Sequence, residues 1–123
     1  VPFSLGVVDV RDVAEAHIKA GFQPESSGRH ILNNEQLWAR EIAAVLDQHF
    51  GSKFTFPKGE LPKWLCWLIA PAIPTTREFV AKSYGYKVNF DNTRSIKQLG
   101  ITYRPVETTL VEHFNQIVED GLI

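Results

Sequence analysis

Three charged residues, Asp9, Arg11 and Asp12, form the tightest group of side chains in this sequence that could carry chemistry. They adjoin an apolar, β-branched run that contains Val7 and Val8. Open α/β sheets bind ligands at the carboxyl ends of their strands, so this position is a candidate site. A structural interpretation competes with it, in which Asp12 caps a helix and Arg11 neutralises the neighbouring acids. We favour the structural role.

The other side chains with catalytic or metal-binding potential are scattered. The histidines are spread along the chain: His17, His30, His49 and His113. They show neither the i, i+4 pairing nor the cysteine neighbours of a zinc site. Cys66, the single cysteine, stands in an apolar stretch and suits a small buried residue. The sequence therefore predicts no catalytic residue and no metal ligand.

The glycines lack the spacing of a dinucleotide-binding loop. Such a loop needs several glycines close together, so that backbone N–H groups can approach a pyrophosphate at a helix N-terminus. The nearest pair here, Gly21 and Gly28, is separated by six intervening residues. We predict no cofactor-binding residue in this chain.

Composition narrows the class of protein. The 123 residues suffice for one domain, with 44% hydrophobic and 22% charged residues, as in ordinary globular proteins. A net charge of −1 gives no reason to expect nucleic acid or an anionic membrane as partner. One cysteine fits a reducing compartment, and we predict a cytoplasmic protein. The sequence opens without Met, which we interpret as a fragment of a longer protein.

Apolar periodicity predicts about five helices. The clearest stripe consists of Trp38, Ile42, Val45, Leu46 and Phe50. Gly51 ends this helix. Polar residues that can cap helix N-termini stand before three of the predicted helices: Asp12, Asn33 and Asp91.

Three short strands complete a mixed α/β fold, at residues 5–10, 29–32 and 54–56. The strand–helix–strand order at the start favours parallel pairing, so we expect a small, partly parallel sheet of two to three strands. So few strands leave exposed edges. These edges indicate a missing half of the fold, or a homodimer formed through the sheet edge.

Aromatic residues gather in the second half of the sequence. Trp64 and Trp67 lie in the apolar segment 61–73, which is too short to span a bilayer. They are candidates for a pocket wall or lid, and a satellite core is the competing interpretation. Tyr84 stands in the turn-like run YGYK. We assign Trp64, Trp67 and Tyr84 to a substrate region.

Several segments resemble, in order, the extended short-chain dehydrogenases/reductases. They are residues 8–17 (VDVRDVAEAH), 28–35 (GRHILNNE), 61–65 (LPKWL), 90–95 (FDNTRS), 99–105 (LGITYRP), 107–110 (ETTL) and 119–123 (EDGLI). The resemblance covers nearly all of the chain and is nearest to the dihydroflavonol reductase-like and cinnamoyl-CoA reductase-like branch. No single motif carries it; the order and spacing together do.

The resemblance implies a parent enzyme that moves a hydride between NADP(H) and a carbonyl or alcohol of a small substrate. In that family the N-terminal Rossmann half holds the cofactor and the catalytic Ser, Tyr and Lys, with Lys four residues after Tyr. None of Tyr84, Tyr86 and Tyr103 has Lys at that distance. Residues 1–123 are thus interpreted as one C-terminal, substrate-binding portion without the dinucleotide-binding half, which binds no cofactor by itself.

Two other interpretations stay open at this stage. The chain could belong to a sugar-nucleotide epimerase or a 3β-hydroxysteroid dehydrogenase-like enzyme, because one fold serves several reactions. The apolar segment 61–73 mildly favours a flatter, less polar substrate than a sugar nucleotide. A non-catalytic module that dimerises through its sheet edge or its tryptophans is the third interpretation.

Overall fold

A computed structural model describes residues 3–72 and 76–123. The elements follow in the order β1 (Ser4–Val7), α1 (Val10–Phe22), β2 (Glu35–Trp38), α2 (Ala39–Phe50), α3 (Lys63–Ile69), a 3-10 turn (Ala70–Ala72), α4 (Arg77–Ser83), α5 (Thr93–Leu99) and α6 (Val106–Glu119). The mixed α/β class predicted from the sequence is confirmed. The described residues hold six α-helices and two strands.

The two strands pair with each other, and the predicted parallel pairing is wrong. The carbonyl of Phe3 accepts from the Ala39 N–H at 2.8 Å, and that of Val7 accepts from the Asn34 N–H at 2.9 Å. Because the partner's number falls as the β1 number rises, the strands run antiparallel. The strand that pairs with β1 is Glu35–Trp38, which lies later in the chain than predicted.

Two predicted strands are not formed. Residues 29–32 and 54–56 are outside the strands of the described part of the chain. A strand requires a hydrogen-bonded neighbour, which apolar alternation by itself does not supply. At the second position the backbone instead extends the end of α2, since the N–H groups of Lys53 and Phe54 both donate to the carbonyl of Phe50.

The described residues divide into two compact units. The first unit contains those up to Leu5 and from Leu37 to Val88, and the second contains Gly6–Gln36 and Asn89–Ile123. In the first unit Cys66, Ala70 and Val80 are buried between α3 and α4, with Tyr84 packed against them. In the second unit α1 and α5 enclose a separate core.

The core of the second unit is small. Ala16 of α1, Leu99 of α5 and Ile101 are buried together. Gly100 adopts a left-handed conformation (φ +62°), which ends α5 and turns the chain back, so that Ile101 joins Leu99 in this core.

Truncating Leu99 to Ala should lower the free energy of unfolding by about 3 kcal/mol, because it leaves a cavity in a core with few residues to fill it. Urea denaturation followed by circular dichroism measures the loss. The exposed Leu122 is the control, and Leu122→Ala should change stability by less than about 0.5 kcal/mol. An equal effect of both substitutions would contradict this core.

Candidate functional site

The junction of β1 and α1 is the most highly connected polar site of the second unit. Asp9 is buried and stands immediately before α1. Its Oδ1 accepts from the backbone N–H and from Nε of Arg11, both at 2.8 Å. Its Oδ2 accepts from Nη2 of Arg11 at 2.6 Å and from the Thr109 hydroxyl at 2.9 Å. All these donors favour the carboxylate form of Asp9.

The electrostatics of this junction keep both partners charged. The hydrogen bonds from Arg11 hold the pKa of Asp9 well below its usual range. The carboxylates of Asp9 and Glu112 raise the pKa of Arg11, whose Nη2 lies 2.6 Å from Glu112 Oε2. Asp9 therefore carries no proton near neutral pH and is unsuited to act as a general acid.

A cavity of about 460 Å³ opens beside this junction within the second unit. Its lining is formed by Val7, Val8, Asp9, Val10, Arg11, Thr109, Leu110, Glu112, His113 and Gln116. The valines and Leu110 make the wall mostly apolar, and the charged groups of the junction are already paired with each other. The sequence analysis placed a candidate site here, and the contacts support the structural interpretation of the group.

Asp12 has a different role from the predicted one. The N-cap of α1 is Asp9, so the helix starts earlier than predicted and Asp12 lies in its first turn. Asp12 is fully buried, accepts from the backbone N–H of Arg104 at 2.9 Å and forms an ion pair with the Arg104 guanidinium. The error arose because both acids stand three residues before another acid, a spacing that fits a capping box at either place.

The other two predicted caps differ from each other. Asn33 caps no helix, since β2 intervenes before α2; its backbone carbonyl accepts from Nδ2 of Asn92 at 2.7 Å. Asp91 stands before the N-cap of α5, and its Oδ1 accepts from the Thr93 N–H at 2.9 Å. Hydrogen bonds from the side chain and then the backbone of Thr93 lower the pKa of Asp91. Asp91 thus satisfies the first N–H of the helix, as a capping residue does.

The aromatic residues assigned to a substrate region all belong to the first unit. Trp64 on α3 exposes 67% of its surface. The ring of Trp67 lies 4.5 Å from the guanidinium carbon of Arg77. Tyr84 packs with the rings of Phe3 and Phe79, at centroid distances of 6.0 and 6.1 Å. Trp64 is therefore mostly exposed, whereas Tyr84 is part of a packed ring cluster.

One polar pair was missed by the sequence analysis. The buried hydroxyl of Ser95 donates to the carbonyl of Asn92 at 2.7 Å and lies 2.8 Å from the Tyr103 hydroxyl. Ser95 lies in the segment FDNTRS and Tyr103 in the segment LGITYRP, but nothing in the sequence pairs them; the turn at Gly100 lies between them. The pair uses both hydroxyls internally and holds α5 to the segment that follows it.

Residues 3–72 and 76–123 hold neither a cluster of metal-binding side chains nor a membrane-spanning helix. No group of three or more His, Cys, Asp or Glu side chains there could hold a metal ion. No helix in this part of the chain is both long enough and apolar enough to cross a bilayer. Nδ1 of His17 lies 2.7 Å from the Val13 carbonyl oxygen, and Nε2 of His30 lies 3.0 Å from Oε1 of Gln98.

Known proteins of similar sequence are reductases. Cinnamoyl-CoA reductase 2 of Arabidopsis thaliana is 32% identical over 114 residues, which are 93% of this chain and 29% of that protein. Cinnamoyl-CoA reductase 1 of Petunia hybrida is 34% identical over 93% of this chain and 28% of its own length. The chain thus spans less than a third of the relatives that it matches. No family model matches the sequence.

A solved structure shares the fold. Gre2 of Candida albicans, crystallised with NADPH, superposes with a TM-score of 0.61 at 26% identity. The superposition covers 94% of this chain and 30% of Gre2. The fold described above therefore recurs as part of a longer protein.

Replacing Arg104 by Gln should destabilise the protein by about 2 kcal/mol, since it removes the charged partner of a fully buried carboxylate while the backbone N–H still donates. Chemical denaturation measures the change. Arg40→Gln is the matched control, because Arg40 forms only an exposed ion pair with Glu60. It should change stability by about 0.5 kcal/mol or less.

Acid should destabilise the second unit through Asp9. Its pKa is lower in the folded than in the unfolded chain, where it is about 3.9. The stabilisation is therefore complete above about pH 4 and is lost as the pH falls towards the folded pKa. Urea titrations between pH 7 and 2.5 should show this loss, and Asp9→Asn should flatten it. The exposed Glu25→Gln variant should keep the wild-type slope; a wild-type slope for Asp9→Asn would refute the assignment.

Proposed function

Because the chain belongs to the extended short-chain dehydrogenase/reductase family, we propose that it forms the substrate-binding portion of an NADP(H)-dependent reductase. The reaction is hydride transfer from the nicotinamide to a carbonyl group of a small organic substrate. One observation carries the proposal: nearly the whole chain aligns with under a third of two reductases, and it contains neither a dinucleotide glycine loop nor a Tyr-x-x-x-Lys pair.

The residues of this chain do not fit the cofactor. A pyrophosphate binds where a helix N-terminus follows a strand with free backbone N–H groups. The helix that follows β1 begins with Asp9, whose own carboxylate accepts from the Arg11 N–H. A second negative group at this place would be repelled. We therefore propose that NADP(H) is held by another portion of the parent enzyme and that this chain alone has no reductase activity.

The substrate region we propose is the aromatic surface of α3. Trp64 offers an exposed, flat and apolar ring, while Trp67 is covered on one face by Arg77. Such rings stack on aromatic substrates. The relatives named for cinnamoyl-CoA and the dihydroflavonol reductase-like segments of the sequence both favour an aromatic carbonyl compound. Tyr84 supports this surface through the ring cluster beneath it rather than by contact with the substrate.

A further proposal concerns the oligomeric state of the isolated chain. Each strand of the two-stranded β1–β2 sheet leaves one edge unpaired among the described residues, and a homodimer of the isolated chain through such an edge is our second candidate. Sedimentation velocity at 10 and 100 µM tests it. A monomer at both concentrations would exclude a stable dimer.

The buried, free thiol of Cys66 fits a reducing compartment, and we propose that the protein is located in the cytoplasm.

The proposed function is tested by NADPH titration of the isolated chain and by hydride turnover. We expect no change in NADPH fluorescence and no consumption of NADPH with an aromatic aldehyde, because the glycine loop is missing and the α1 N-terminus is filled. Stoichiometric binding with turnover would contradict this.

The substrate region is tested in the parent enzyme or in a chimera that carries this chain. Trp64→Ala should raise KM about tenfold, through loss of about 1.4 kcal/mol of ring stacking, with kcat nearly unchanged. The control is Leu122→Ala, a change at a comparably exposed apolar residue that follows α6 in the second unit. A change in kcat with constant KM would place Trp64 outside the substrate-binding surface.

A further inference from the structure

Helices α3 and α4 of the first unit run antiparallel and are joined near both ends by a cation. At one end, the Arg77 guanidinium at the start of α4 lies 4.5 Å from the centroid of the Trp67 ring on α3. At the other end, Nζ of Lys63, the first residue of α3, donates at 2.9 Å to the carbonyl of Ala81 in α4. These two contacts limit how α3 can turn relative to α4.

Small side chains form the buried core between these two helices. They are Cys66, Ala70 and Val80. A core of so few atoms makes few packing contacts, so the contacts near the two ends supply much of the constraint on α3. Lys63 adds to this constraint, since its Nζ also lies 4.6 Å from the centroid of the Tyr86 ring, after the end of α4.

Trp64 and Trp67 are neighbours on α3, because residues three apart on a helix lie on the same side. Their environments differ: Trp64 exposes 67% of its surface and Trp67 exposes 44%. The planar guanidinium of Arg77 lies over one face of Trp67, a stacking geometry that arginine favours on indole rings. Of the two adjacent rings, one is therefore open and the other is partly covered.

Arg77 is held in this place without an acidic partner. The neighbouring carboxylate of Glu78 is paired with Lys82, whose Nζ lies 2.6 Å away. The hydroxyl of Thr76 accepts from the Phe79 N–H at 3.1 Å and caps α4, which fixes the turn that carries Arg77. No carboxylate in the described part of the chain forms an ion pair with Arg77. Because Arg77 is exposed, water covers the outer side of its guanidinium.

A cation in this position limits the size of the apolar ring that can stack on α3. An aromatic ring that stacks on Trp64 meets an indole that is mostly exposed. A second, fused ring would extend towards Trp67. To lie flat there, it would have to displace Arg77 or remove water from an unpaired charge. Both changes cost free energy that a substrate with a single ring does not lose.

We propose that Arg77 determines which substrates the aromatic surface of α3 accepts. By covering Trp67, it selects carbonyl compounds with one aromatic ring over compounds with fused rings. Arg77 acts through Trp67, so it is a positioning residue and takes no part in hydride transfer. The proposal rests on the proposed function, because it concerns the substrate of the same surface.

The kinetic test uses a chimera in which the 114 matched residues of the Arabidopsis thaliana reductase are replaced by the corresponding residues of this chain. NADPH consumption is followed with benzaldehyde and with 2-naphthaldehyde. Arg77→Ala should lower the KM for 2-naphthaldehyde about fivefold, because it opens a second indole beside Trp64. The kcat values and the KM for benzaldehyde should stay nearly unchanged. Arg77→Lys should restore most of the wild-type ratio of the two KM values, since its stem and ammonium group still cover the ring.

Arg40→Ala is the matched control, because Arg40 is an exposed arginine of the same unit whose ion-pair partner is Glu60. It should leave both KM values unchanged. In a Trp67→Ala background, Arg77→Ala should no longer lower the KM for 2-naphthaldehyde. The proposal is overturned if Arg77→Ala leaves the ratio of the two KM values unchanged, if it acts through kcat, or if its effect persists without Trp67.

Fluorescence of the free chain measures the cover on Trp67 without any turnover. The chain has three tryptophans, so Trp38→Phe with Trp64→Phe leaves Trp67 as the single indole. In this background Arg77→Ala should raise the acrylamide quenching constant about twofold, because the guanidinium no longer shields one face of the ring. Arg40→Ala should not change it. An equal quenching constant with and without Arg77 would refute the proposal, whatever the activity of the chimera.

Failure of this proposal and failure of the proposed function give different results. If Trp64→Ala raises KM but Arg77→Ala leaves the KM ratio unchanged, the role of Arg77 is wrong and the substrate region stands. If Trp64→Ala changes neither KM in an active chimera, the substrate region itself is wrong. A folded chimera that consumes no NADPH with either aldehyde contradicts the proposed function, and the role of Arg77 falls with it.

Discussion

The second unit depends on one buried carboxylate, that of Asp12. Its partner Arg104 is 92 residues away in the sequence and supplies both a backbone N–H and a guanidinium group. A carboxylate fully removed from water is tolerated only with such partners. The Asn34 side chain in turn donates to the Arg104 carbonyl at 2.6 Å. The ion pair thereby fixes α1 to the segment that leads into α6 and fixes where the segment after residues 29–32 runs.

Asp9 acts one turn earlier on the same helix. It joins the start of α1 to Thr109 of α6, so two acids three residues apart bind two consecutive parts of the C-terminal segment. This role leaves Asp9 and Asp12 unsuited to binding a ligand. Both carboxylates are saturated with donors, and the N-terminus of α1 is closed to an anionic ligand. The group Asp9, Arg11 and Asp12, which the sequence offers as a candidate chemical site, thus stabilises the second unit instead.

The sequence predicted the helices better than the strands. The apolar stripe of α2 ends at Gly51 as expected, because a repeat over many residues is a local property that needs no partner. Residues 29–32 carry the alternation of a strand, yet the strand depends on a neighbour that is not among the described residues. β1 pairs instead with Glu35–Trp38, which local pattern could not indicate, because register and direction are set by the two chains together.

The roles of individual residues were harder to predict than the elements. That Asp9 and not Asp12 caps α1 depends on Arg104 and Thr109, about a hundred residues away, and no local motif reports them. Trp64 and Trp67 were grouped because they lie on one apolar segment. The structure separates their environments, since only Trp67 meets Arg77. Sequence spacing places side chains on a helix, whereas contacts from another helix decide which of them remains open to a ligand.

The two sides of α1 differ in how far the chain itself covers them. The inner side and its flanking acids are completely satisfied within the chain, by Leu99, Ile101, Arg104 and Thr109. The outer side, which carries Val10, Ile18 and Phe22, is also apolar but is exposed. Burying one side of a helix does not require Val, Ile and Phe on the other, where polar residues would cost nothing and improve solubility. The stability of the chain alone therefore does not explain why this side of α1 is apolar.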